Sequence, residues 1–162
     1  MKVKKDIGMK SRSDLTRSEI DAIISASEVC HVGMVDGDNG PYVLPMNFGY
    51  NQGRIFIHSG PVGKKLGLWE KDNRVCLAFS TDYKMRIQNE SVACSYSMRY
   101  KSALVYGRLK PVEGFDDKVA ALNVIMAHYT QNTEFAYSKP AVENVRVFEV
   151  EVDRMDGRIY GY

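Results

Sequence analysis

Three cysteines are all the chain has, and Cys30, Cys76 and Cys94 lie far apart with no CxxC pair. That spacing excludes a zinc or dithiol motif, and the odd number argues against a disulfide framework. Cys30 and Cys76 fall in apolar, strand-like runs and read as buried reduced thiols. No apolar run is long enough to span a bilayer. The basic segment Met1 to Lys10 lacks the apolar core of a secretion signal, so a cytoplasmic location is expected. Lys and Arg number 22 against 20 Asp and Glu, a net charge of +2. Without a concentrated basic face, a general nucleic-acid binder is excluded. GxSxG is absent, which removes the serine-hydrolase elbow. Three scattered histidines without supporting carboxylates make no metal site; His31 and His128 read as structural.

What remains is an ordinary globular composition in 162 residues, 44% hydrophobic and 26% charged, the size of one domain with one core. Residues 1–14 read as a polar arm and 15–162 as a single domain. Thr16 and Glu19 make a capping box flanked by Leu15 and Ile20. Ile20, Ile23, Ile24 and Ser27 then follow helical spacing. Val29 to Val35 reads as a strand, and Asp36 to Gly40 as a turn. Tyr42 to Tyr50 is a second strand, with Pro45 marking an edge or bulge. Arg54 to Ser59 follows a tight turn, giving an antiparallel meander.

A short helix over Lys64 to Glu70 comes next, with Leu66 and Trp69 inward. Arg74 to Ser80 is a buried strand, 81–93 a polar loop, and Tyr100 to Leu109 another strand. A second long helix runs from Phe115 to Tyr129, its apolar side drawn through Phe115, Val119, Leu122, Ile125 or Met126, and Tyr129. Residues 130–143 read as irregular, and Val145 to Val152 as a last strand of period two. The sum is a mainly β, α+β chain. Six or seven antiparallel strands with two or three helices favour a small barrel, which removes exposed edges.

Chemistry concentrates in "HSGPVGKK", residues 58–65. A helix beginning at Lys64 presents unpaired amides to an anion. Gly60 and Gly63 let backbone approach closely, Ser59 offers a hydroxyl, and Lys64 and Lys65 offer charge. The set suits a phosphate monoester, with a solvated turn as the alternative. The spacing is not that of a nucleoside-triphosphate loop. Tyr96, Met98 and Tyr100 form a sulfur-aromatic cluster suited to core, to a dimer interface or to a flat ligand.

"YVLPMNFGY", "IFIHSG…GKKL", "NRVCLAF", "ACSYSMRYKSALVYG" and "ALNVIMAHYT", in this order and spacing, resemble the FMN-binding split-barrel superfamily of pyridoxamine 5'-phosphate oxidase. The resemblance is nearest to its Nim branch, the 5-nitroimidazole resistance proteins. It covers residues 15–155 and implies an antiparallel split β-barrel acting as a homodimer with FMN at the interface. It also implies site residues: Val43, Leu44, Pro45, Met46 and Asn47 along the isoalloxazine, Ile57, His58 and Ser59 continuing the pocket, and Gly63, Lys64 and Lys65 holding the phosphate. Ser95, Met98, Tyr100 and Ser102 would come from the partner. His58 matches the histidine placed beside flavin and nitroimidazole, so it is the expected catalytic residue.

Two features depart from the oxidases themselves. Lys64-Lys65 stands where they carry arginine and lysine, and the C-terminal "DRMDGRIYGY" has no histidine. Pyridoxine phosphate is therefore not the expected substrate; the Nim resemblance implies reduction of a nitroaromatic or related small molecule. A flavin- or haem-binding module without turnover, an F420-dependent enzyme and a pyridoxamine phosphate oxidase-like enzyme remain alternatives.

Overall fold

The computed structural model describes residues 10–130, 132 and 134–162. Among them the chain forms eight strands in one antiparallel sheet. These are β1 (Ser11–Arg12), β2 (Cys30–Val35), β3 (Pro41–Met46), β4 (Phe48–Asn51), β5 (Arg54–Ser59), β6 (Arg74–Ile87), β7 (Tyr96–Pro111) and β8 (Arg146–Tyr160). The helices are α1 (Arg17–Ala26), α2 (Lys64–Lys71), α3 (Phe115–Thr130) and α4 (Lys139–Asn144). The strand order is β3-β2-β6-β7-β8-β5-β4, with β1 added beside β8.

The two ends of that path, β3 and β4, are consecutive in sequence and separated by Asn47 alone. The sheet thus curls until its ends share a connection, yet no ladder closes them. This is a split barrel, one strand richer than the six or seven expected. Pro45 lies in end strand β3 opposite His31, where its missing N–H disrupts no second ladder.

The barrel interior is filled by Val32, Phe48, Ile55, Ile57, Leu77, Phe79 and Val105, all at most 1% exposed. Helix α1 adds Ile20, Ile23 and Ile24 to this core. Its capping box forms as expected: Glu19 N–H donates to Thr16 Oγ1 at 3.3 Å, and Thr16 N–H to Glu19 Oε2 at 2.8 Å. Helix α3 packs outside β4 and β5 in a smaller cluster of Phe56, Ala121, Ile125 and Val147. Gly49 makes that approach possible, since a Cβ there would lie 2.6 Å from the Ile125 backbone nitrogen.

Several expectations are corrected. Of the N-terminal arm, residues 1–9 lie outside the described residues; Ser11 and Arg12 pair with Tyr160 and Ile159 as β1. The loop expected over 81–93 is strand as far as Ile87, because β6 and β7 run on as a two-stranded hairpin exposed on both faces. With neither face buried, the segment has no reason to alternate. The irregularity there is a bulge between Thr81 and Lys84, with Asp82 at φ 55°.

Strand β8 extends to Tyr160 rather than Val152. A register shift between Tyr106 and Gly107, with Asp153 left unpaired, moves its side-chain alternation by one residue and hides the continuation. Residues 139–144 are helical, capped by the Ser138 hydroxyl, but too short to show a period. In α3 the buried residues are Lys118, Ala121 and Ile125. Phe115 and Tyr129 are each 40% exposed. Ile125 is buried and Leu122 packs against its cluster as expected, while the two ends of the expected stripe turn out to be exposed.

Candidate functional site

Strand β5 ends in the 59–63 turn and feeds directly into α2. His58 and Ser59, as strand neighbours, point to opposite faces. Ser59 follows Ile55 and Ile57 inward and is 5% exposed, its hydroxyl without a hydrogen-bond partner. His58 follows Phe56 outward, opposite Val147, and is half-buried. Its Nδ1 is buried and likewise unpartnered. Burial, and secondly the charge of Lys65, hold the imidazole below its ordinary range, so it is neutral near pH 7.

The turn is open. Gly60 and Gly63 have nothing within 4 Å of where a Cβ would stand, and Gly63 adopts φ 140°. Gly63 caps α2 without a side chain, leaving the first amides of the helix uncapped. The two lysines differ in their surroundings. Lys64 Nζ is held by Asp36 Oδ2 at 2.5 Å and lies 4.6 Å from the Tyr42 ring centroid. Lys65 is half-buried and has no carboxylate partner among the described residues. Cation, imidazole and open turn therefore meet at one end of β5, and this group is suited to a phosphate-bearing ligand.

The remaining expected residues divide by face. Leu44, Met46 and Ile57 point into the barrel. Val43 and Pro45 lie on its outer face and are exposed, as is Asn47 in the connection. Ser102 and Tyr100 share that outer face on β7, Tyr100 beside Tyr160 with ring centroids 5.6 Å apart. Met98 follows, 40% exposed. Ser95 sits at the hairpin tip, where its hydroxyl accepts from Asn89 N–H at 3.1 Å and donates to the Asn89 carbonyl.

Strands β3 and β7 are three strand spacings apart, about 14 Å. Within one chain the structure therefore does not bring Val43 and Pro45 together with Ser102 and Tyr100.

The outer face itself is uncovered. Rows Pro45–His31–Ala78–Leu104 and Val43–Gly33–Cys76–Tyr106 run across four strands, and none of these residues belongs to a core cluster. The match to known proteins follows this architecture. A model of the pyridoxamine 5'-phosphate oxidase family matches residues 16–159. The chain belongs to the pyridoxamine 5'-phosphate oxidase-like family.

Among solved structures, a candidate 5-nitroimidazole antibiotic resistance protein of Bacteroides thetaiotaomicron is 42% identical, with 95% of this chain and 90% of that one covered and a TM-score of 0.82. An FAD- and haem-binding protein of Mycobacterium smegmatis shares 15% identity, covering 91% and 72% of the two chains at a TM-score of 0.79. A flavocytochrome of Azotobacter vinelandii shares 18%, covering 92% and 68% at 0.74. The last two are likenesses of fold. Among curated proteins none matches. No helix among the described residues is long and apolar enough to cross a membrane.

Sequence reasoning missed two supports of the family's split barrel. Tyr129, counted as apolar surface, accepts from Phe48 N–H at 3.1 Å and donates to the Glu28 carbonyl at 2.8 Å. It thereby ties the first residue after Asn47 to the connection between α1 and β2. Asp36, counted as turn, is the partner of Lys64. A tyrosine at a helix end and an aspartate in a DG turn carry no signal of such long-range bonds. His128 is a brace, as its structural reading anticipated: Nε2 lies 2.8 Å from the Ser27 carbonyl and the ring packs on Phe48.

Proposed function

We propose that the protein is an FMN-dependent oxidoreductase of the nitroimidazole-reductase type, working as a cytoplasmic homodimer. The observation that carries this reading is the unpartnered His58 Nδ1 beside Lys65 at an open glycine turn. It stands in a chain 42% identical to a candidate 5-nitroimidazole resistance protein.

These residues fit the cofactor. Lys65 and the uncapped amides of α2 form a donor set for the FMN phosphate, and Gly60 and Gly63 leave it room, while the Ser59 hydroxyl lies buried on the inward side of the strand. The backbone of 43–47 offers an edge for the ring, with Ile57 behind it. Bound flavin supplies the electron-transfer chemistry. The chain binds it, orients it and excludes water. His58, uncharged at neutral pH, holds one hydrogen bond to a flat nitroaromatic stacked on the ring. The spacing of about 14 Å between β3 and β7 requires a second copy if Ser102, Tyr100 and Met98 are to complete the pocket, with Ser95 on the same partner hairpin. The uncovered outer face is the natural contact. Three free thiols suit a reducing compartment.

The absorption spectrum of the purified protein is the test. Bands at roughly 375 and 450 nm that survive gel filtration support FMN. A Soret band would instead favour a haem-binding module. A colourless protein that gains no flavin signal with added FMN overturns the reading. Anaerobic incubation of dithionite-reduced protein with a 5-nitroimidazole then tests the reaction, read as loss of the nitro chromophore with flavin reoxidation.

A further inference from the structure

A groove of about 890 Å³ lies on the flank of α2 that carries Leu66, Trp69 and Glu70, roofed by the ends of β6, β7 and β8. It shares only the 61–63 segment with the turn described above. Its wall includes Trp69 and Phe148, whose rings meet edge to face at 5.1 Å. Trp69 is 5% exposed, and its indole Nε1 has no acceptor.

Lys118 also lines the groove and is 8% exposed. Its Nζ donates to the Val142 carbonyl at 3.3 Å and the Val145 carbonyl at 2.9 Å. An ammonium has three donors, so one remains. Both partners are neutral, and no carboxylate among the described residues pairs with this charge. A buried charge without a counter-charge is unfavourable and favours an incoming anion.

Arg146, at the start of β8, lines the same groove and has no carboxylate partner among the described residues. Arg74 and Arg108 are already held, by Asp72 and Asp153. The acids Glu70 and Glu113 are exposed, where water screens them.

We propose that this groove binds a small carboxylic acid with a flat apolar body. The carboxylate lies against Lys118 and Arg146, and the body against Trp69 and Phe148. One ammonium proton and one guanidinium match the two oxygens of a monoanion. Lys71, also in the lining, is exposed at the rim. The inference does not rest on the flavin reading.

Trp69 is the single tryptophan of the chain, so its emission reports occupancy. The protein, as isolated and again with excess FMN, is titrated with 4-methylbenzoate and with 4-methylbenzamide, followed by Trp69 emission and calorimetry. Saturable binding of the acid on the order of 1 mM is expected, the affinity that a ligand of about ten heavy atoms reaches. The amide should bind about tenfold more weakly, and Arg146→Ala and Lys118→Met should each weaken the acid several-fold. If Lys118→Met does not fold, Arg146→Ala and the acid–amide comparison decide. No saturable response, equal affinity for acid and amide, indifference to Arg146→Ala, or displacement by FMN would each overturn the proposal.

Discussion

Asp36 in the β2–β3 turn grips Lys64, the first residue of α2, with Oδ2 2.5 Å from Nζ. Two lysines that look equivalent in sequence are therefore not equivalent in the fold. Lys64 fastens the helix start to a neighbouring turn, whereas Lys65 is free to meet a ligand. Lys65→Ala should weaken FMN by the loss of a charge-assisted bond, about 1.5–3 kcal/mol, and leave riboflavin nearly unchanged. Lys64→Ala should weaken FMN much less, and Asp36→Asn should tighten it by releasing Lys64. Flavin-fluorescence titration decides. Equal losses in the two lysine variants would return Lys64 to the phosphate.

The same cation acts on His58. Burial lowers the imidazole first and Lys65 second. Removing the charge in Lys65→Met should raise the His58 pKa while burial keeps it below the ordinary 6.5. A histidine whose folded pKa is depressed contributes stability above its unfolded pKa and loses it as pH falls through the folded value. The wild-type protein should therefore lose stability below about pH 6.5, and His58→Gln should lose less. NMR titration of the ring protons and urea unfolding across that range check both statements.

Glu19 offers a second pH test, distant from the site. The Arg12 guanidinium, then the Thr16 amide, hold its carboxyl down at about 2. Its contribution is complete above the unfolded value of 4.5 and fades as pH falls toward the folded one. Glu19→Gln should flatten the acid limb of stability between those values. An unchanged acid limb would mean that Arg12 and the Thr16 amide do not hold the Glu19 carboxylate in solution.

Glycines with and without neighbours separate packing from backbone freedom. At Gly49 a Cβ would meet backbone atoms of α3, the nearest at 2.6 Å, which cannot rotate away. Gly49→Ala should destabilise by about 1–3 kcal/mol. Gly67, inside α2, has nothing within 4 Å, so Gly67→Ala should stabilise by about 0.5–1 kcal/mol. Denaturant midpoints of the two variants should move in opposite directions.

Legibility in the sequence followed burial. The capping box at Thr16 and Glu19, the core strand at Arg54 to Ser59 and the turn into α2 were readable because each has a local chemical cause. The β6–β7 hairpin was not, because an exposed ribbon has no inside to impose a period of two. Strand β8 was cut short because an unpaired Asp153 shifts its alternation. At the site, the turn residues were legible from type and order. What those residues touch was not: Asp36 lies 28 positions from Lys64, and no spacing rule links a turn to a helix start. Tyr129 was hidden by its own apolar ring.

The uncovered sheet face yields the last prediction. Ala78 sits at its middle, half-buried, between His31 on β2 and Leu104 on β7. Its side chain points away from the core, since its neighbours Leu77 and Phe79 fill the barrel. An arginine there adds nothing to the interior and should leave the fold and its circular dichroism intact. Between two copies the same arginine would bury an unpaired charge on this face, opposing association. The proposed homodimer predicts that the wild type elutes as a dimer and Ala78→Arg as a monomer. Because β3 and β7 of one chain stand too far apart to share a ring, the monomer should lose FMN affinity with every phosphate-turn residue still in place. A folded monomeric variant that keeps full flavin affinity would place the whole site within one chain.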